Sequence, residues 1–299
     1  MFSEKFICAG YDYTTYTFHV PAPYFRKAFE IDGEVKKSVI TLTGLGFYEL
    51  YVNGQRLTKG ILAPYISNPD DLVYYDEYDI TEYLVPGKNV LGIMLGNGMQ
   101  NAPGGQIWDF DIAAFRGAPR TAFCVSTEYI DGGIDIFEAD SSVKTAPSPV
   151  IFDDLRCGCY YDARLEIPGW SGPEFDDSAW KNALPAETPR GEKRLCEAEP
   201  IAPVREIKPV LIRKCRLREY IIRGDVVKEA KKNCERRARR IFIRFRRELG
   251  GHRKAQNKRR ARAANRSAVR RIFCARRRAG HEQHLLLSRR IFPARYVHT

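Results

Sequence analysis

The chain has 299 residues, 44% of them hydrophobic, which is enough for one large domain or two ordinary ones with a sizeable core. Its net charge of +12 averages two unlike parts, because residues 211–299 hold 30 basic and 6 acidic side chains and the first 210 residues carry a net charge of −12. The sequence contains no apolar run long enough to cross a membrane, and MFSEKFICAGYDY lacks the apolar core of a signal peptide. We therefore expect a cytoplasmic protein without a membrane partner.

The eight cysteines give no sign of a metal site or a disulfide framework. They are irregularly spaced over both parts of the chain, and Cys157 and Cys159 are one residue closer than a Cys-x-x-Cys pair. We expect them to be reduced and to bind no metal.

Most of the first 180 residues follow the two-residue period of β-strands. After an extended, aromatic lead-in over residues 1–23, Tyr24–Ile31 predicts the first strand, and Ser38–Asn53 predicts two strands that meet at a tight turn. Asn53-Gly54 favours a type I′ hairpin turn, because both residues tolerate positive φ. Further strands are expected at residues 72–80, 89–95, 120–129, 134–139 and 159–167.

Short strands at even spacing, with turn residues between them and no convincing helix, predict an all-β fold. The expected architecture is an antiparallel jelly-roll β-sandwich over residues 24–182. Phe175–Trp180 predicts a single helical turn that anchors Trp180 to the sandwich. Five prolines in residues 183–213 predict an extended connector.

Residues 214–299 form an Arg-rich tail without a steady 3.6-residue period. The sequence predicts that this tail is poorly ordered or partly helical, with a basic helix over residues 236–248 as one candidate. Two hypotheses stay open: the tail binds polyanions such as nucleic acid through phosphate contacts, or it is the product of a shifted reading frame. It holds no recognition motif, so no specific nucleic acid is expected. Sequencing codons 205–225 and translating the other frames separates the two.

The ten residues Leu45–Gly54, LGFYELYVNG, resemble the N-terminal domain of bacterial α-L-rhamnosidases. The resemblance covers roughly residues 24–212 and departs from the family at Met99-Gln100 and near Cys157. In the family, the catalytic carboxylates belong to an (α/α)6 barrel that residues 214–299 are too few to supply. Further pieces fit in order: Leu62–Pro64, Tyr75–Thr81, Leu84–Asn89, Leu95–Gly98, Ile107–Phe110, Tyr161–Arg164, Pro168–Trp170 and Phe175–Trp180.

The resemblance implies a fragment of an α-L-rhamnosidase that keeps an accessory, carbohydrate-binding β-sandwich. The parent reaction would be the hydrolysis of terminal α-L-rhamnosyl residues with inversion, and the partners would be rhamnose-containing glycosides. Because the catalytic domain is missing from residues 1–299, we expect this chain alone to be inactive. The alternative is a polyanion-binding protein that acts through its Arg-rich tail. The sequence predicts no oligomeric state.

Glycoside hydrolysis needs two opposed carboxylates, and the chain offers several close pairs of aspartates. All of them fall on predicted loops or turns, where aspartate commonly caps the backbone. We therefore assign no catalytic residue. The pairs are Asp70/Asp71, Asp109/Asp111, Asp153/Asp154 and Asp176/Asp177.

The loop from Asn97 to Asp111 is the best candidate for binding a sugar. Proteins commonly hold sugars with an aromatic face and with amide and carboxylate hydrogen bonds, in some cases through Ca²⁺. The resemblance allows Ca²⁺ as a cofactor without assigning its ligands. On the alternative interpretation, Trp108 and Phe110 plug the end of the sandwich and the aspartates cap turns. The candidate binding residues are Asn97, Asn101, Trp108, Asp109 and Asp111.

A second polar group has the composition of a structural network or of a ligand site. It comprises Tyr161, Asp162 and Arg164. We expect the network, tying the connector to the sandwich. Trp170 and Trp180 are expected to anchor the same connector.

Overall fold

The computed structural model describes residues 2–15, 18–99, 101, 112–155, 158–203, 211–215, 240–244, 251–253, 269–275 and 285–286, with side chains up to residue 203. The chain divides into two compact units. The first comprises residues 1–203 with 255–273, and the second comprises residues 204–254 with 274–299.

The described residues up to 203 form short strands and include the 3₁₀ turns Thr81–Tyr83 and Ala163–Leu165. The strands are β1 (Phe6–Cys8), β2 (Pro23–Ile31), β3 (Val35–Leu45), β4 (Tyr48–Val52), β5 (Gln55–Arg56), β6 (Leu72–Asp79), β7 (Gly87–Leu95), β8 (Arg120–Tyr129), β9 (Ile134–Glu138), β10 (Lys144–Pro147), β11 (Val150–Asp154), β12 (Gly158–Asp162), β13 (Lys181–Asn182), β14 (Leu184–Ala186) and β15 (Glu192–Leu195).

Two sheets enclose one hydrophobic core. The first has the order β14-β1-β8-β3-β6-β15, with β9 also paired to β8, and the second has the order β13-β10-β2-β7-β4-β5. The core draws on both, because Leu42 of β3 and Phe123 of β8 cluster with Leu50 of β4 and Ile93 of β7, all at most 1% exposed. The predicted β-sandwich is confirmed, and its jelly-roll connectivity stays a prediction.

The alternation of apolar and polar residues predicted the positions of several strands closely. The strand predicted at residues 120–129 has those bounds, and the one predicted at 24–31 gains only Pro23. The Asn53-Gly54 turn joins β4 to β5 with φ of 47° and 84°, as the type I′ prediction requires. The strand predicted at residues 159–167 is shorter, because β12 ends at Asp162 and a 3₁₀ turn follows. Residues 175–180 contain a turn rather than a helix.

The two strands predicted within Ser38–Asn53 exist, but they do not form a hairpin. β3 pairs with β6 and β8 in the first sheet, whereas β4 pairs with β5 and β7 in the second. The chain crosses between sheets at Gly46, whose φ is 145° and where an added Cβ would lie 1.9 Å from the carbonyl oxygen of Gly96. Only glycine fits such a backbone, so Gly46 permits the crossing.

Segments outside the predicted sandwich also add strands to it. β1, from the lead-in, pairs with β8 and β14, and β15 pairs with β6 in parallel. Both β14 and β15 come from the residues predicted as a connector. Because β15 runs parallel to β6, the first sheet is mixed rather than purely antiparallel.

The chain between residues 168 and 180 lies against the outer face of the second sheet. The Trp170 ring stacks on Tyr24 at 4.0 Å between centroids and fills the space over Gly92, where a Cβ would lie 2.9 Å from it. Arg26 of β2 is 1% exposed, and it donates to the carbonyl oxygens of Trp170, Gly172 and Phe175 at 2.9, 2.9 and 3.1 Å. Its guanidinium also pairs with Asp177. This segment is therefore held by a buried cation and by aromatic stacking.

Five strands are described beyond residue 210, and the first of them begins in the residues predicted as the connector: β16 (Leu211–Cys215), β17 (Arg240–Arg244), β18 (Gly251–Arg253), β19 (Val269–Ala275) and β20 (Leu285–Leu286). In the second unit, β17 pairs antiparallel with β16 and with β20. The helix proposed over residues 236–248 is wrong at residues 240–244, which are extended. The rest of that prediction lies outside the described residues.

Candidate functional site

The candidate loop begins where β7 ends. The N–H of Gly96 donates to the carbonyl oxygen of Phe47 at 2.8 Å, and Gly98 has a φ of 59° with its Cα close to the Gly46–Phe47 backbone. The loop therefore leaves β7 packed against the crossing between the two sheets. Glycine at position 98 is needed because a Cβ would lie 3.0 Å from the Phe47 nitrogen.

Asn97 is fully buried and joined to Asp153 of β11. Its backbone N–H donates to Oδ2 of Asp153 at 2.6 Å, and its Nδ2 donates to Oδ1 at 3.0 Å. The same Nδ2 lies 3.3 Å from Oγ1 of Thr14. Asn97 Oδ1 is buried and accepts no hydrogen bond from any described residue. Asn97 thus ties the lead-in, β7 and β11 together.

Asp153 is the acidic centre of this cluster. Part of the residue keeps solvent contact, but its carboxylate is enclosed by Gly96 and Asn97. Burial raises the pKa of this carboxyl to about 6, although the hydrogen bonds from Asn97 and Gly98 lower it. The neighbouring carboxylate of Asp154 also raises it.

Asn101 and Arg116 form the second half of the cluster. Asn101 is 2% exposed, and its Nδ2 donates to the carbonyl oxygen of Leu45. Arg116 donates to the carbonyl oxygen of Asn101 at 2.8 Å and to that of Thr14. Its guanidinium carbon lies 5.3 Å from the centre of the Tyr13 ring. Residues on both sides of positions 102–111 are therefore fixed to the same buried framework.

The structure brings together Asn97 and Asn101, two of the five predicted binding residues. The other three, Trp108, Asp109 and Asp111, lie outside the described residues. Sequence reasoning missed Thr14 and Arg116, for which the sequence gives no local signal. It named Asp153 only as one of several turn aspartates.

Three further aspartates predicted to cap turns are engaged with their neighbours. Asp71 accepts from Asn68 at 2.7 Å, and Asp176 accepts from the N–H of Ser178 at 2.9 Å. Asp177 pairs with Arg26. These contacts serve the fold, and Asp109 and Asp111 lie outside the described residues.

The predicted network at residues 161–164 is local. Asp162 is buried and accepts from Nε of Arg164 at 2.8 Å, which together with the N–H of Arg164 lowers the pKa of its carboxyl. The hydroxyl of Tyr161 donates to Glu166 at 2.7 Å. The N–H of Asp162 also bonds the carbonyl oxygen of Pro149, so this corner is joined to the sandwich.

No group of three or more His, Cys, Asp and Glu side chains in the described residues could hold a metal ion. None of the helices within them is long and apolar enough to span a membrane.

A protein-family comparison matches residues 33–205 to the α-L-rhamnosidase N-terminal domain. Among curated proteins, the chain is 37% identical over 161 residues to an α-L-rhamnosidase of Formosa agariphila, covering 53% of this chain and 17% of that protein.

Solved structures agree in fold with this match. The α-L-rhamnosidase of Dictyoglumus thermophilum is 34% identical with a TM-score of 0.62, over 70% of this chain and 24% of that one. The α-L-rhamnosidase of Streptomyces avermitilis, solved in complex with L-rhamnose, is 26% identical with a TM-score of 0.53, over 66% of this chain and 18% of that one. The chain therefore spans less than a quarter of the length of these relatives.

Proposed function

The chain belongs to the family of α-L-rhamnosidase N-terminal domains, and from this membership we propose that it is an accessory carbohydrate-binding module for terminal α-L-rhamnosyl residues of glycosides. The binding site is the loop from Asn97 to Asp111, with the side chains predicted from the sequence. The Streptomyces avermitilis relative solved with L-rhamnose supports this class of ligand.

The observation that carries the proposal is that both ends of the loop are anchored. Asn97 is bound to Asp153 on one side, and Arg116 is bound to the carbonyl oxygens of Asn101 and Thr14 on the other. A loop with fixed ends loses less conformational entropy when it binds a ligand. Such a framework suits a small, rigid ligand such as a terminal sugar.

Calcium is not required by the described residues. Asn97 Oδ1 is a buried oxygen of the kind that a hard cation or a water molecule binds. A single oxygen falls short of the ~6–8 ligands that Ca²⁺ takes. The described residues alone therefore supply no calcium site.

The proposal assigns no catalytic role to this chain. Asp71 and Asp176 cap turns, Asp177 pairs with the buried Arg26, and Asp153 accepts from Asn97. None of these arrangements places two carboxylates across a cleft. Hydrolysis of the rhamnosidic bond would belong to the remaining length of the longer relatives. We expect no release of nitrophenol from p-nitrophenyl α-L-rhamnoside by this chain, and release above the buffer rate would contradict that expectation.

Binding can be tested with the whole chain by isothermal titration with methyl α-L-rhamnoside. This ligand is uncharged, so the basic tail does not attract it. Methyl α-L-fucoside is a matched control, because it is also a 6-deoxy-L-sugar and differs in the configuration of its ring hydroxyls. We expect binding of the rhamnoside alone, and weaker binding after Trp108→Ala. Equal heats for both sugars, or no heat for either, would overturn the proposal.

A further inference from the structure

Strand β9 forms a sheet edge that no described strand covers. It pairs with β8 alone among the described strands, and this ladder is closed by the N–H of Ala139, which donates to the carbonyl oxygen of Phe123 at 3.0 Å. Hydrogen-bonded and non-hydrogen-bonded pairs alternate along an antiparallel ladder. Counted back from Ala139, the N–H and C=O groups of residues 134, 136 and 138 therefore face away from β8.

The other edges of the two sandwich sheets are protected in ways that β9 is not. Natural edge strands avoid pairing with other chains when they are very short or carry proline or lysine. β13 and β5 have two residues each, β14 has three and contains Pro185, and β15 carries Lys193 and Arg194. β9 has five residues, with two acidic side chains but no proline or lysine. Its backbone is therefore open to a further strand.

β9 also exposes two large apolar side chains on one face. Ile134 is 62% exposed and Ile136 is 53% exposed, and residues two apart project from the same face of a strand. Phe137 projects from the other face and packs against the core, which fixes the register of β9. An open groove of about 440 Å³ borders the end of the strand, lined by Lys5 and residues 136–140. The edge thus offers hydrogen bonds and apolar surface together.

The charge of this edge indicates which partner it fits. Residues 130–140 contain four acidic and no basic side chains, and Lys5 and Lys27 contact two of the four. The other two, Asp131 and Asp135, are exposed and form no ion pair with a described residue. Pairing β9 with the same strand of a second copy would bring two such acidic sets together, and like charges on paired strands are destabilising. A strand with basic side chains avoids this cost.

We propose that β9 is a docking site for an extended peptide in which apolar and basic side chains alternate. The peptide adds a strand to the first sheet, and its backbone bonds residues 134, 136 and 138. Because side chains alternate between the two faces of a strand, its apolar residues lie beside Ile134 and Ile136, and its basic residues lie on the face of Asp135. The inference is independent of sugar binding, since none of these residues belongs to the candidate loop.

The test uses the whole chain and a short, blocked peptide of alternating valine and lysine with a fluorescent label. Fluorescence anisotropy in 0.15 M salt, which screens long-range attraction, measures binding. The control peptide has proline in place of each valine, so it keeps the charge but cannot form a strand.

Two variants change the edge without touching the ladder to β8. Ile136→Pro removes an outward N–H and the apolar side chain, and Ile136→Lys keeps the backbone but adds a positive charge. We expect each to bind the valine–lysine peptide about tenfold more weakly than the wild type. Ile66→Lys, at an isoleucine that is 46% exposed, is the control and should bind like the wild type. Thermal unfolding checks that each variant retains the sandwich.

Several outcomes would overturn the proposal. Equal binding by the wild type and both Ile136 variants refutes the site, and so does a wild type that does not bind the peptide. Equal binding of the proline peptide means that ionic attraction alone is responsible. Sedimentation velocity of the free chain tests the other occupant: a dimer that Ile136→Lys converts to a monomer assigns the edge to a second copy.

Discussion

The buried guanidinium of Arg26 offers the sharpest test of how the sandwich holds the segment from residue 168 to residue 180. Arg26→Met keeps an unbranched side chain of similar reach and removes the charge and all donors. Three backbone carbonyl oxygens and the Asp177 carboxylate, itself 23% exposed, then lose their partner. We expect the substitution to destabilise the protein strongly.

The magnitude follows from the partners that are left behind. Removing one member of a buried ion pair costs roughly 3–5 kcal/mol. Carbonyl oxygens on a surface segment can regain water, so they should add little beyond this range. For a domain of about this size, 1 kcal/mol lowers the unfolding midpoint by about 2–4 °C, which gives a loss of about 6–20 °C.

Circular dichroism during heating measures this loss, and limited proteolysis within residues 168–180 locates it. Arg194→Met is the matched control, because its side chain is 56% exposed and pairs with Glu192, also exposed. Such surface pairs contribute about 0–1 kcal/mol. A loss below about 1 kcal/mol in Arg26→Met would refute the reasoning. It would mean that Trp170 stacked on Tyr24 is sufficient to hold the segment.

Two further predictions concern the loop framework and the sheet crossing. Because the folded pKa of Asp153, about 6, lies above its unfolded value of roughly 3.9, the charged form costs up to about 3 kcal/mol at pH 7, and this cost disappears as the pH falls from 6 to 4. Asp153→Asn should therefore match or exceed the wild type in unfolding midpoint at pH 7.5 and lose that advantage by pH 4. The Asn97 amide must turn over for this, because its Nδ2 faces Asp153 in the wild type and its Oδ1 has to accept from the new amide. A gap that is constant with pH would argue against a buried charge. Gly46→Ala should lower the free energy of unfolding in urea by about 3 kcal/mol or more, because its Cβ would meet the Gly96 carbonyl. Gly10→Ala is the control, since an added Cβ there has open space, and it should lower the free energy of unfolding by less than about 1 kcal/mol. Equal losses in the two variants would contradict the close approach at Gly46.

Strand positions were predictable because burial on one face imposes a two-residue period. β8 alternates over residues 125–129 and β2 over residues 27–31, whereas residues 121–125 and 23–26 are buried on both faces. Asn53-Gly54 marks its turn through backbone conformation alone. The assignment of strands to sheets was not predictable from the same pattern. β3 and β4 alternate equally well whether they pair together or face each other, and the deciding contact, Gly46 against Gly96, joins residues 50 positions apart.

The candidate site shows the same division between local and distant information. A turn with Gly96-Asn97-Gly98 is visible in the sequence, and so is the loop that it opens. The partner of Asn97 is not, because Asp153 follows 56 residues later and looks like any aspartate near a turn. Arg26 was equally hidden, since an arginine in an alternating strand suggests a solvent-exposed position, and its partners lie 144–151 residues away.

These distant contacts also bear on where a β-sandwich of this kind can bind a ligand. A sandwich offers the outer faces of its sheets and the loops at its ends. On the second sheet, Trp170 covers the face at Gly92 and Arg26 fixes the segment that carries it, so a flat ligand cannot reach β2 and β7 there. The loop end has the opposite character, because Thr14, Asn97 and Asn101 of its framework are buried while the adjoining Tyr13 is exposed. The segment that carries Trp170 blocks the outer face of the second sheet, and the buried framework holds the ends of the loop in place. Both features support the proposal that a ligand binds at the end of the sandwich rather than across this face.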